Sequence, residues 1–116
     1  MKTIRLFLLA AAVVLTVLSC KDEVNHNYMW FDCEANYATL SHPDSIAFYL
    51  KKCQDLGFDN VVVDMKSIMG EVLYDSEIAP YMGDWEGVER SRDYDMFGYF
   101  LKYGHEHGMR VFGSLN

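Results

Sequence analysis

Leu56-Gly57-Phe58-Asp59-Asn60-Val61-Val62-Val63-Asp64 decides how this chain is read. A glycine stands between an upstream stretch of helical periodicity and three consecutive valines that end on an aspartate. Glycine accepts the left-handed backbone that stops a helix, and β-branched valines suit a pleated strand. The same order returns in His107-Gly108-Met109-Arg110-Val111-Phe112-Gly113-Ser114. Each segment predicts a helix end, a C′ glycine and a short strand with a polar tip.

Working outward, the first helix should begin near Pro43, with Ser41 or His42 before it and proline in its first turn. Its buried stripe would be Ile46, Tyr49, Leu50, Cys53 and Leu56, the spacing of one helix face. A second helix should run from about Asp93 to His107, capped by Ser91 or Asp93, with Met96, Phe97, Phe100, Leu101 and Gly104 inward. Gly98 and Gly104 each weaken it by roughly 1 kcal/mol relative to alanine. Tyr28-Met29-Trp30-Phe31-Asp32-Cys33 supplies a strand before the first helix. Such alternation implies parallel strands joined by right-handed crossovers.

Alternating side chains sort each strand into two faces. Val61, Val63 and Met65 oppose Val62, Asp64 and Lys66; Phe31 and Cys33 oppose Trp30, Asp32 and Glu34; Val111, Gly113 and Leu115 oppose Phe112, Ser114 and Asn116. One face is apolar for helices, and the other turns polar at the carboxyl end. A doubly wound open sheet would be apolar on both faces. The expected fold class is therefore α/β, with residues 28–116 forming about three β/α units from the N-terminal portion of a (β/α)8 TIM barrel. The sequence stops just after a strand, so it is read as part of a larger α/β protein or as a truncated gene model.

Residues 1–19 carry Lys2 and Arg5, an apolar run from Leu6 to Leu18 and a small Ser19, the pattern of a cleavable export signal. About a dozen apolar residues fall short of the ~20 that span a bilayer as a helix. Val17-Leu18-Ser19-Cys20 resembles a bacterial lipobox, which implies a lipid anchor on Cys20. Lys21-Asp22-Glu23 is similar to the charged tag of Bacteroidetes surface lipoproteins, which implies the outer membrane, on its periplasmic or cell-surface face. Residues 20–27 then form a polar linker.

The whole chain carries a net charge of −7. Without Lys2 and Arg5, eight basic residues would face seventeen acidic ones, which argues against nucleic-acid binding. Aromatic residues make up 15% of the chain, a combination with carboxylates that suits carbohydrate: sugar C–H faces stack on rings while hydroxyls donate to carboxylates. Cys33 and Cys53 are expected as buried free thiols.

Asp64 and Lys66 share a strand face, and Asp32 or Glu34 should approach from the neighbouring strand about 5 Å away. Paired carboxylates at such spacing permit glycoside hydrolysis, and equally a structural polar network. The loop from Ser67 to Arg92 carries Tyr74, Tyr81 and Trp85 among acids. It reads either as a lid over a sugar cleft or as a packed flap in which Glu71-Val72-Leu73-Tyr74 is a short strand. His105 and His107 diverge by about 200° on a helix, so they cannot share a metal. No metal or cofactor is expected, since no phosphate-binding glycine loop, serine elbow or Cys-x-x-Cys pair occurs.

With these residues in place, the stretch from Trp30 to Asn116 resembles the glycosyl-hydrolase-like family ten domain of bacterial surface and lipoproteins. The likeness rests on Leu56 to Lys66, Gly70, Leu73-Tyr74-Asp75-Ser76, Ala79-Pro80, Tyr94-Asp95-Met96-Phe97, Gly104-His105-Glu106-His107-Gly108 and Met109 to Asn116. It implies a barrel with glycosidase activity. Lys66 stands where that family has arginine, Phe112-Gly113-Ser114 where it often has His-Ala-Trp, and Asn116 matches its asparagine. The expectation is part of a surface or periplasmic glycoside hydrolase acting on polysaccharide, with Asp32, Glu34, Asp64, Lys66, Tyr74, Trp85 and Asn116 as sugar contacts and the catalytic pair unnamed. The alternatives are a non-catalytic carbohydrate-binding lipoprotein and an inactive truncated product.

Overall fold

A computed structural model describes residues 26–115; the expected export signal, Cys20 with its lipid, and Asn116 lie outside the described residues. The element order is β1 (Tyr28–Phe31), α1 (Tyr37–Leu40), α2 (Pro43–Asp55), β2 (Asn60–Asp64), β3 (Asp84–Trp85), β4 (Val88–Glu89), α3 (Met96–Glu106) and β5 (Arg110–Ser114).

The two echoed segments end their helices identically. After α2, Phe58 N donates to Cys53 O at 2.9 Å and Gly57 N to Gln54 O at 3.0 Å, with Gly57 at φ 85°. After α3, Met109 N donates to Gly104 O at 2.9 Å and Gly108 N to His105 O at 3.0 Å, with Gly108 at φ 68°. These paired bonds are the Schellman motif, which satisfies the last helical carbonyls and turns the chain straight into a strand.

β2 lies between β1 and β5 and pairs parallel with both: Phe31 faces Val63, and Asp64 faces Ser114. Phe31, Val61 and Val63 point into the core with Ile46, Leu50 and Cys53 from α2 and Met96 and Phe100 from α3. Phe31 and Phe100 meet edge to face at 5.0 Å. Each such fully buried apolar side chain contributes about 1.5–3 kcal/mol. Gly104 brings α3 close to β5, where a Cβ would stand 2.6 Å from Val111 Cγ2.

The expected portion of a (β/α)8 barrel is overturned. The described residues form an open three-stranded parallel sheet with helices on one face, beside a separate two-stranded antiparallel hairpin. Closure needs enough tilted strands to bring the edges together, and here β1 and β5 remain edges. Among the described residues two of the three parallel strands, β1 and β2, are followed by helices.

Smaller corrections have local causes. α3 begins at Met96 rather than near Asp93, because the Asp95 side chain accepts from Gly98 N at 2.8 Å and caps the helix there. Tyr49 is exposed, and Leu56 is 73% exposed because it forms the C-cap where α2 leaves the core. Leu101 is half-buried.

The loop after β2 is a packed flap, not a lid. Leu73 N donates to Met65 O at 3.0 Å and Met82 N to Val72 O at 2.9 Å, while Val72, Leu73 and Met82 are buried. Val72 makes isolated bridges to Lys66 and Tyr81 rather than belonging to a strand. β3 and β4 meet through Glu86-Gly87, whose φ values of 49° and 81° suit a type I′ turn.

Candidate functional site

At the end of β1, Asp32 Oδ1 accepts from Glu34 N at 2.9 Å and Ala35 N at 2.7 Å. This Asx-type turn reverses the chain and aims Glu34 at the loop beyond β2, where Glu34 Oε1 accepts from Ile68 N at 3.0 Å. Asp64, the last residue of β2, is 6% exposed. Asp32, Cys33, Glu34, Asp64, Lys66 and Ile68 enclose a recess of about 70 Å³ at the carboxyl ends of adjacent strands. It has room for a few waters or one or two hydroxyl groups, not for a sugar ring.

Three carboxylates and one ammonium border this recess. Cys33 Sγ lies 3.9 Å from Lys66 O. Burial, then the charges of Asp64, Glu34 and Asp32, push the Cys33 thiol up from 9.0 to about 11. Burial also raises Cys53, and neither thiol is in a disulfide. Both are protonated and unreactive near neutrality, because the thiolate is the nucleophile.

Four of the predicted contacts, Asp32, Glu34, Asp64 and Lys66, are thus brought together. Tyr74 is not with them. It lines two other open grooves, one of about 380 Å³ with Asp75, Arg92, Asp93, Tyr94 and Asp95, the other of about 440 Å³ with Met65, Asp95, Phe97, Gly113 and Leu115. Arg92 is already held by Asp75 Oδ1 at 2.7 Å and Ser76 O at 2.6 Å. Trp85 packs against the core from β3 and contributes to none of these surfaces. Its place in the hairpin follows from the Glu86-Gly87 turn. No group of three or more His, Cys, Asp or Glu suited to a metal occurs among the described residues.

Sequence reasoning missed Arg90. Its buried guanidinium lies 4.0 Å over the Tyr37 ring and 5.3 Å from that of Tyr94, donating to Ser41 Oγ at 3.0 Å and Tyr37 O at 2.9 Å. Burial lowers its pKa. Tyr37 OH donates to Met82 O and Tyr94 OH to Leu40 O, both at 2.8 Å. Arg90 therefore fastens the flap to α1, through the Tyr37 ring and carbonyl and the Ser41 hydroxyl, and to the start of α3, through the Tyr94 ring and Met96 Sδ at 3.5 Å. One cation among many surface charges gives no periodic signal, so nothing in the sequence marked it.

Also missed was the pairing of Tyr28 and Phe112, whose rings stand 6.2 Å apart. They come from the two strands flanking β2, about 10 Å apart, so the rings lean toward one another over it. Asn60, which pairs with Tyr28 in register, is fully buried, and its Oδ1 has no hydrogen-bond partner among the described residues.

No protein-family model matches the chain. It is similar to an S-layer-related protein of Niallia circulans, 28% identical over 94 residues, an alignment that covers 76% of this chain. The match spans 6% of that protein's length.

Proposed function

We propose that this chain contributes a carbohydrate-contacting site to a larger cell-surface protein of glycoside-hydrolase type. The observation that carries the reading is the convergence of Asp32, Glu34, Asp64 and Lys66 on one recess at the strand ends. Carboxylates accept from sugar hydroxyls and an ammonium donates to them, and the recess admits a hydroxyl from a ring lying above it. The resemblance to the glycosyl-hydrolase-like domain supports the same chemistry. An S-layer is a cell-surface layer, so the likeness to an S-layer-related protein supports a place at the cell surface. Among the described residues no helix is long and apolar enough to cross a membrane.

Binding without cleavage is the second reading. Asp32 Oδ1 and Glu34 Oε1 already hold backbone N–H groups, which ties these carboxylates to the turn. Reducing-sugar release and binding, measured together on a panel of glycans, separate the readings. Release that Asp64→Asn abolishes supports hydrolysis; binding without release supports the second reading; neither marks an inactive product. Cys20→Ala should free the protein from membranes, and continued attachment would overturn the anchor.

A further inference from the structure

The face of the sheet opposite the helices is bare and aromatic. Tyr28 is 55% exposed, Trp30 56% and Phe112 42%, with half-buried Val62 between Trp30 and Phe112 in one cross-strand row. The next row of the same face, toward the carboxyl ends, begins with Asp32 beyond β1 and continues with Asp64 and Ser114, which pair in register. Asp32 and Asp64 border the recess already described. An aromatic surface thus runs directly into the carboxylates.

Area decides what could cover it. An aromatic side chain has about 150–250 Å² to bury, so three half-exposed rings offer roughly 300 Å² in all. Two copies meeting through this face would bury about 600 Å² together, well below the ~1,200 Å² of a stable interface. An apolar patch of about 300 Å² is nonetheless of the size that marks functional surfaces on monomers. Charge narrows the occupant: three carboxylates against Lys66 disfavour an anionic ligand and suit donors of neutral hydroxyl hydrogen bonds.

We propose that a neutral oligosaccharide lies across this sheet face, its pyranose C–H faces on Trp30 and on the Tyr28–Phe112 pair and its hydroxyls directed to Asp32 and Asp64. The proposal rests on the carbohydrate reading above and gives it a ligand class and a platform. Partial exposure of the rings means that their removal disturbs little packing, so the effect should appear in binding rather than in folding.

The test titrates the full chain with cellohexaose, laminarihexaose, mannohexaose and, as an anionic control, hexagalacturonate, by calorimetry and tryptophan fluorescence. At least one neutral hexasaccharide should bind and change the Trp30 emission, with hexagalacturonate weaker. Trp30→Ala and Phe112→Ala should each weaken binding about tenfold, the loss expected for one ring contact, while the urea midpoint stays unchanged. Trp30→Phe should recover part of the affinity. Binding lost in Asp64→Asn but kept in both ring variants would overturn the platform and leave the carbohydrate reading standing. No glycan binding and no release would overturn both. A preference for hexagalacturonate, or a dimer in sedimentation that Phe112→Ala dissolves, would overturn the neutral-glycan platform alone.

Discussion

The two faces of one three-stranded sheet have opposite fates. Phe31, Val61 and Val63 are sealed under α2 and α3, whereas Tyr28 and Trp30 of β1 and Phe112 of β5, on the opposite face of the same sheet, stand in the open. Neighbouring residues differ because side chains alternate, and the difference teaches that the apolar core of the described residues lies on one side of the sheet. The covered face supplies stability, and the bare face is left for contact with something else.

The sharpest way to break this contrast is to truncate one ring on each face. Phe100→Ala, which removes a fully buried ring packed on Phe31, should cost about 3–5 kcal/mol in urea denaturation. Trp30→Ala should stay within about 0.5 kcal/mol. Equal losses would mean that the faces are not energetically distinct. Next in size, Gly104→Ala gains about 1 kcal/mol of helix propensity but forces a methyl to 2.6 Å from Val111 Cγ2, for a loss of about 1–3 kcal/mol. Adding Val111→Ala should relieve that clash and make the pair less than additive.

A further effect concerns pH. The folded Cys33 thiol holds its proton to about 11, above its ordinary 9.0, so its contribution is intact below pH 9 and is lost as pH rises through 11. The urea midpoint should therefore decline across that window, and decline less steeply in Cys33→Ala. Tyr94, pushed up by burial from 10.0 to about 12, adds its own decline that begins within the same window and runs through 12. An equal slope in the variant would show that Cys33 takes no part.

Much of this architecture was legible in the sequence for a physical reason: its signals are local. A glycine after a helical stripe and before valines specifies the turn by itself, and both copies do so. Strand parity correctly separated Val61 and Val63 from Trp30 and Phe112. Parity reports what lies on each face of a strand, however, not whether the sheet closes, so an open sheet with one bare face was read as a barrel. The clustering of Asp32, Glu34, Asp64 and Lys66 was legible because neighbouring parallel strands bring their carboxyl ends together. Tyr74 and Trp85 were misplaced because a long loop has no period, and buried Val72 and Met82 fold it down as a flap. The Arg90 staple joins segments about fifty residues apart through carbonyls and rings, interactions that leave no spacing rule.

Among the described residues β2 is the one strand of the parallel sheet that is bonded on both sides. Deuterium should consequently replace the amide protons along Asn60–Asp64 last, while β1 and β5, each latched along a single side, exchange sooner by transient detachment. The slowest-breathing strand of this sheet is then the one whose tip carries Asp64, so the carboxylate at the recess is mounted on the least yielding of the three strands.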